Sequence, residues 1–478
     1  MQGPSAASSS LVRQSASEIA RLIRQKHISP TEAVEAHLQR IEEINPTINA
    51  FAAVYADYAR TEAKRVEAAL AQGSSGIEGK PLLGVPITIK SCIDVQGFRC
   101  ESGSRLREGY VAAKDAPVVA RLRKAGAIVI GNTTTPELMV AYHTENELHG
   151  RTSNPWSLSR TPGGSSGGEA AAVAACMSAA GIGSDGGGSI RVPAHFSGIC
   201  GLKPTPGRIP TSGKYPQTIG PASLMSVVGP MARTVEDLQL LLEVTAGYEP
   251  SDPVSAPIPL GSTDPQQAKK LRIGFYEDDG YSPPTPEIRA AVRSAAAALR
   301  GAGFEVQQFC PEGLDRAREL WFVLFVEAGA MSINPAVRGR DADISTTLKE
   351  FLVLAAEQPP LTGKRLLNTL VERDQLRLRL QAQMEQFPIL LAPACSIPAF
   401  LHEEAGWGPR HAGDYLRTMT YCQHYNLLGN PAAVVPVARS VDSLPIGIQI
   451  IGRPYKEDEV LAVAAALEKR FGWKGPEI

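Results

Sequence analysis

Between residues 160 and 208 the chain reads RTPGGSSGGEAAAVAACMSAAGIGSDGGGSIRVPAHFSGICGLKPTPGR, and this stretch limits the fold more than any other. Two glycine–serine clusters, GGSSGG (163–168) and SDGGGS (184–189), flank a run of small residues. The Ala-rich part, 169–180, favours helix, and such small side chains let a helix lie close beneath a sheet. Glycines at either end let the backbone take positive φ or approach another group closely. The expectation is a buried small-residue helix between two tight, backbone-lined turns.

Such a stretch admits three readings. The first is structural, glycine-rich turns around a buried helix. The second is phosphate binding, because residues 181–186 (GIGSDG) fit G-x-G-x-x-G. That pattern belongs after a strand and before a helix. Here a helix-like run precedes it and no Walker lysine follows. The third is acyl transfer. A serine after three glycines can sit on a tight turn, with backbone N–H groups beside it free to hold an oxyanion.

A serine hydroxyl needs a base. The eight histidines (27, 37, 143, 149, 195, 402, 411 and 424) form no triad signature, and His195 is read as a packing residue. The alternative is lysine. Lys90 ends an apolar run, LLGVPITIK, that is expected to be a strand over 83–89. A lysine whose stem runs into an apolar layer loses solvation of its charge. Its pKa then falls, which makes it a usable neutral base.

Around this core, helix signals alternate with short apolar runs, the pattern of a layered α/β fold. S-x-x-E at Ser15–Glu18 reads as a capping box, and Ser29-Pro30 as an N-cap with proline at N1. With a third helical stretch over 55–71, residues 1–75 read as a helical layer. Further strands are expected at 127–130, 272–275, 304–306, 389–391, 433–435 and 446–450. Helices are expected at 117–124, 287–300, 361–387 and 456–470. The segment 250–269, rich in Pro, Ser, Asp and Gln, reads as an exposed connection. No internal repeat of fixed period is present.

Composition narrows the partners. Lys+Arg 48 against Asp+Glu 49 gives a net charge of −1, so no basic excess is available for nucleic acid. The seven cysteines (92, 100, 176, 200, 310, 395 and 422) include no C-x-x-C pair, which speaks against a structural zinc site or a disulfide scaffold. MQGPSAASSS at the N-terminus lacks the charged and apolar regions of a signal peptide. The longest apolar stretch is taken as 170–183, short of the roughly 20 residues that span a bilayer. A soluble, cytoplasmic protein with no membrane partner is expected.

These residues resemble the amidase signature family. GGSSGGEAA, GSDGGGSIRVPA and GLKPTPGRIP stand in the family's order and spacing, with GVPITIK upstream. GNTTTPELM (131–139), RTSNPW (151–156), GPMARTVEDL (229–238), NLLGNPAAVVPV (426–437) and PIGIQIIG (445–452) extend the similarity over about residues 31–470. The resemblance implies one α/β/α domain over 1–478, with a twisted, mostly mixed sheet between helices. It implies Ser189 as nucleophile, Ser165 as a relay preceded by a cis peptide, and Lys90 as base. It further implies an oxyanion hole from the amides of Gly186, Gly187, Gly188 and Ser189, and Asp185 with Arg191 as structural support. No metal or organic cofactor is implied. Two departures stand out. Position 186 is glycine where many relatives carry a larger apolar residue, which suggests a looser oxyanion loop. Residues 101–104 (ESGS) replace a Thr-rich stretch.

Substrate residues are read from Met139 and Tyr142 in 138–142, from Arg208 in 208–215, and from the aromatic run Trp321, Phe322 and Phe325. They point to amides with an aryl or bulky apolar group. The stretch TPELMVAYHTENELHGRTSNPW resembles stand-alone bacterial amidases and family members that cleave carbamates, the metagenomic urethanases. The readings are therefore an amidase, a urethanase with possible esterase side activity, or a partner-dependent amidotransferase component. A homodimer is common among such relatives.

Overall fold

Serine caps open the helices Ala16–Arg24 and Pro30–Ile48. The computed structural model describes residues 10–72, 78–406 and 412–478, so the opening residues discussed above lie largely outside it. Ser29 forms a full capping box: its hydroxyl accepts from the Glu32 amide at 3.0 Å, and the Glu32 carboxylate accepts from the Ser29 amide at 2.7 Å. At Ser15 only half of the box forms. Its hydroxyl accepts from the Glu18 amide at 3.1 Å, but the Glu18 carboxylate turns to Arg21. Asp237 takes the exposed amides of Ala16 and Ser17 instead, at 2.9 and 2.8 Å.

The strands are β1 (Phe51–Val54), β2 (Pro86–Lys90), β3 (Ile128–Thr133), β4 (Glu145–Asn146), β5 (Gly150–Arg151), β6 (Ala180–Asp185), β7 (Cys200–Lys203), β8 (Val227–Ala232), β9 (Arg272–Phe275), β10 (Glu305–Gln308), β11 (Ile389–Pro393), β12 (Ala432–Arg439) and β13 (Pro445–Gly452). β4 and β5 form a small ribbon. The other eleven make one sheet in the order β1-β3-β2-β6-β8-β7-β12-β13-β11-β9-β10. β2 runs parallel to β3 and β6, and β9 to β10 and β11, while the remaining pairs are antiparallel. The result is the expected α/β fold, a mixed sheet between helices.

Strand alternation divides the core between the two faces. On β11, Ile389 and Leu391 join one buried cluster, and Leu390 and Ala392 join the other. The first cluster holds helices such as Pro286–Gly301 and Glu457–Phe471 against the sheet. The second is aromatic and includes Tyr142, Phe196, Trp321 and Tyr425.

Several sequence expectations change. The layer over 1–75 is not all helical, because β1 (Phe51–Val54) leaves it to pair with β3 at the edge of the sheet. The run 169–180 is not one helix: helix Gly167–Ala174 stops early, and the chain re-enters the sheet as β6. Every residue of β6 is buried between two neighbouring strands, so it lacks the polar alternation that marks a strand. The strand expected over 83–89 starts only at Pro86, because the chain turns at Gly84 with φ +72°. The longest apolar helical run is not 170–183 but Leu314–Val337, 24 residues long. It would suit a bilayer by length and composition, but half of its most apolar window is buried inside the protein. The connection over 250–269 is largely exposed, with Asp252 turned inward to the amide and hydroxyl of Thr211.

Candidate active site

β2 and β6 are parallel neighbours, with Ile89 opposite Ile182. Their carboxyl ends therefore deliver Lys90 and Ser184 to the same edge of the sheet, where open α/β sheets place their ligands. Lys90 is fully buried. Its Nζ donates to Ser165 Oγ at 2.7 Å, Ser166 Oγ at 2.9 Å and Ser184 Oγ at 3.0 Å. These partners are neutral, and the more distant Cys92, Asp185 and Glu169 offset only part of the loss of water around an ammonium. Burial lowers the Lys90 pKa to about 8, and the nearby Lys214 ammonium pushes the same way.

Ser165 is fixed by its backbone. The Gly164–Ser165 peptide is cis, and Thr135 Oγ1 donates to the Ser165 carbonyl at 2.8 Å. Position 164 must be glycine, because a Cβ there would run into the carbonyl oxygens of Ala141 and His143. Helix Gly167–Ala174 begins directly after the serine pair. Its Glu169 is buried beneath β2, accepting from Thr88 Oγ1 and, at 2.8 Å, from Thr133 Oγ1. Burial pushes that carboxyl up to about 7.

Ser189 sits between the glycine run and helix Arg191–Ser197. Asp185 organises the turn. Its carboxylate accepts from the amides of Gly188 at 2.8 Å and Ile190 at 3.1 Å, and from Arg191 Nε and Nη2 at 3.1 Å each. Arg191 also donates to the Cys422 carbonyl at 3.0 Å and to Gln449 Oε1 at 3.1 Å. Burial alone would raise the Asp185 carboxyl. The Arg191 guanidinium outweighs it and holds the carboxyl well below the usual carboxylate range, and the arginine's own pKa rises. The pair thus braces the turn from inside the protein.

This bracing revises the glycine readings. The Gly188 amide is already committed to Asp185. The amides of Gly186, Gly187 and Ser189 meet no acceptor among the described residues. The carbonyl side is held as well. Trp321 Nε1 donates to Gly186 O and the Tyr142 hydroxyl to Gly187 O, both at 3.0 Å. In a trans peptide the N–H points opposite to the C=O, so the Trp321 bond aims the Gly187 N–H the other way. The loop is therefore anchored despite glycine at 186. The volume a larger residue would occupy there is met by Phe325, whose Cε2 would lie 3.0 Å from an added Cβ.

Ser165, Ser184, Gly186 and Ser189 line one wall of a cavity of about 500 Å³. Ser189 remains 8 % exposed to it. Its carbonyl accepts from the Ser166 amide at 3.1 Å, while its hydroxyl makes no hydrogen bond among the described residues. Met139 lines the cavity, as read from the sequence, and so do Leu138, Val140, Lys214, Tyr215 and Phe325. Tyr142 does not; it is buried behind the glycine turn. Arg208 does not either, and its reading as a substrate residue is corrected. It is 2 % exposed and ion-paired with Glu457 at 3.1 Å, with further bonds to the carbonyls of Ile258 and Tyr455. Trp321 stacks behind Phe325 with ring centroids 4.6 Å apart. His195 is structural: Nδ1 accepts from the Gly447 amide at 2.8 Å, and burial lowers its pKa to about 4.

Ser166, Ser184 and Glu169 were not singled out from the sequence, although all three stand inside its most informative stretch. Lys214 lies inside the stretch 208–215 read as cavity lining, although Arg208 and not Lys214 was singled out from it.

Comparison with known proteins places the chain among similar sequences and structures. A family model described as Amidase matches residues 32–461. The chain is 36% identical over 474 residues to an indoleacetamide hydrolase of Bradyrhizobium diazoefficiens, covering 96% of this chain and 86% of the relative. It is 32% identical over 491 residues to one component of the glutamyl-tRNA(Gln) amidotransferase of Methylacidiphilum infernorum, covering 98% and 96%. The structure of a 6-aminohexanoate cyclic dimer hydrolase complexed with substrate superposes with a TM-score of 0.84 at 31% identity, covering 98% of this chain and 99% of that one.

Proposed function

The chain belongs to the amidase family, and on that premise we propose that it hydrolyses small-molecule amides through an acyl-enzyme on Ser189. The observation that carries the reading is the buried Lys90 amine, held 2.7 Å from Ser165 Oγ at the wall of the cavity that Ser189 faces. Neutral Lys90 takes a proton from Ser165, and Ser165 takes one from Ser189. The Ser189 oxygen adds to the substrate carbonyl. The amides of Gly186, Gly187 and Ser189 receive the oxyanion, each such donor typically contributing ~2.7–4 kcal/mol to the barrier. The proton returns through Ser165 to the leaving nitrogen, which departs as a neutral amine. Water then enters and hydrolyses the ester by the reverse relay. The direct Ser165–Ser189 hydrogen bond closes with substrate in place, as catalytic hydrogen bonds commonly tighten on binding.

The cavity wall opposite the serines is apolar, with Leu324, Phe325 and Ile333 along it. It suits a bulky or aryl acyl group, in line with the hydrolase of indoleacetamide among the similar proteins. The reaction needs only groups of this chain, so no partner protein enters the reading. The test is a panel of aryl amides with the purified chain alone, with matched carbamates and esters as further arms. Amine release by the wild type that disappears in Ser189→Ala, at unchanged melting temperature, is the expected result. Full turnover by Ser189→Ala would remove Ser189 from its role. Carbamates cleaved faster than amides would shift the substrate class while keeping the same chemistry.

A further inference from the structure

The cavity is mostly apolar; its polar lining is the serine wall, Gln217, Ser226 and Ser332, and its only cations among the described residues are Lys214 and Arg107. The two cations differ in what neutralises them. The Arg107 guanidinium lies between the rings of Tyr110 and Tyr215, 3.8 and 4.0 Å from their centroids, with Asp94 at 4.0 Å. Lys214 is only 9 % exposed, and no carboxylate lies within ion-pair distance of it among the described residues. Its Nζ reaches Thr218 Oγ1 at 3.1 Å and the Pro216 carbonyl at 3.3 Å. An ammonium has three donors, so one remains for the cavity. Two buried cations are answered by carboxylates, Arg191 by Asp185 and Arg208 by Glu457; Lys90 meets three hydroxyls, and the fully buried Lys203, whose Nζ donates to the Pro204 carbonyl at 3.0 Å, does not line the cavity.

The backbone holds Lys214 in place. Its segment pairs with the chain just after β2, with Asp94 N donating to Gly213 O at 2.8 Å and Tyr215 N to Cys92 O at 2.9 Å. Ser102 Oγ donates to Tyr215 O at 2.8 Å, so the unusual ESGS stretch buttresses this end of the cavity. Desolvation lowers the Lys214 pKa, because burial disfavours its charged form. A buried cation is costly unless paired, and the open side of this one faces the space a substrate would fill.

We infer that Lys214, assisted by Arg107, forms a subsite for a carboxylate on the substrate, so that the preferred amides carry an anionic group beyond an apolar body. The inference rests on the reading of Ser189 as the nucleophile and specifies the substrate of that same site. A carboxylate is the fitting anion because one spare ammonium donor and one flanking guanidinium match a single small acceptor group.

The test compares matched substrates. One series sets mono-para-nitroanilides of linear dicarboxylic acids against alkanoyl para-nitroanilides of equal length. A second sets para-acylaminobenzoates against acyl para-toluidides, which moves the carboxylate to the amine side. The quantity read is the ratio of kcat/KM for acid over neutral partner. Wild type is expected to favour the acid in one series, and Lys214→Met to lower that ratio roughly tenfold to a hundredfold, the worth of a charge-assisted hydrogen bond. Lys214→Arg is expected to keep part of the preference. A ratio at or below unity in both series, or one unmoved by Lys214→Met, overturns the subsite. Calorimetry on Ser189→Ala separates binding from chemistry, with adipate as the probe. Weaker adipate binding in Ser189→Ala/Lys214→Met, with no amide turned over by wild type, keeps the subsite and sinks the hydrolase reading. Turnover without any carboxylate preference does the reverse. Lys214→Gln serves as the second variant should Lys214→Met not fold.

Discussion

One wall of the cavity is built of backbone and the facing wall of side chains. On the first, Ser165 and Ser189 are held by a cis peptide, a glycine turn, and a buried Asp185–Arg191 pair. The carbonyls of Gly186 and Gly187 and the amide of Gly188 are all taken by partners within the protein, which leaves the Ser189 hydroxyl and the amides of Gly186, Gly187 and Ser189 without a partner among the described residues. On the second, Leu324, Phe325, Ala328 and Ile333 present one face of the helical run Leu314–Val337, which includes a π-helical turn over Val323–Glu327. On the proposed mechanism the contrast follows from what each wall would do. Oxyanion donors and a proton relay tolerate little displacement. An apolar wall sets volume, and exchanging its residues leaves the sheet intact.

Changes to the backbone wall should therefore act on kcat, and the largest follows loss of the base. Lys90→Met should lower kcat/KM by roughly two to four orders of magnitude, the range of general base catalysis. The pH profile separates this from a packing defect. Because burial lowers Lys90 to about 8, the base is charged and inactive below that pH and neutral above it. The wild-type rate should climb as pH passes through about 8 and then level, while the residual rate of Lys90→Met lacks that limb. A flat wild-type profile with chemistry limiting would take Lys90 out of the relay.

A second change tests whether the brace beneath the wall is as important as the wall itself. Asp185→Asn leaves the fully buried Arg191 without its countercharge. Breaking such a pair from one side typically costs about 3–5 kcal/mol, read as a drop in the urea midpoint at neutral pH. The sign with pH follows from the depressed carboxyl. Its contribution is complete above the unfolded carboxylate value of about 4 and is lost as pH falls below it. The gap between wild type and Asp185→Asn should therefore close in acid. A gap that is already absent at pH 7 would mean the pair is not what holds the turn.

The same division explains what was legible in the sequence. Ser189 could be picked out because it follows three glycines and Lys90 because it ends an apolar strand, whereas Ser165 came only through the family resemblance, since nothing local separates it from Ser166. The strands of the second half were legible too, since β11 and β13 are rich in branched aliphatic residues. β6 was not, because small residues buried on both faces look like helix. The side-chain wall was least legible: Phe325 and Trp321 share one apolar pattern, yet one faces the cavity and the other lies behind it. Arg208 misled for a related reason. Its partner Glu457 is 249 residues away, and no local pattern announces that ion pair.

The smallest expected effect tests the side-chain wall directly. Phe325→Ala should change KM more than kcat, favouring amides with a larger acyl group over smaller ones by about tenfold, the usual discrimination of an apolar pocket. Position 186 sharpens the comparison, because it belongs to one wall and faces the other. A Cβ at Gly186 would approach Phe325 Cε2 to 3.0 Å, so Gly186→Ala alone forces the ring to give way. With Phe325→Ala in the background that crowding is gone, and the two substitutions should couple rather than add. Additive effects on KM would mean the walls do not share this volume. A Gly187→Ala control behaves differently, since its Cβ would meet Trp321 Cζ2 at 2.5 Å and no change at position 325 relieves that contact. If Gly187→Ala were as mild as Gly186→Ala, the turn would be less tightly anchored than its two carbonyl bonds require.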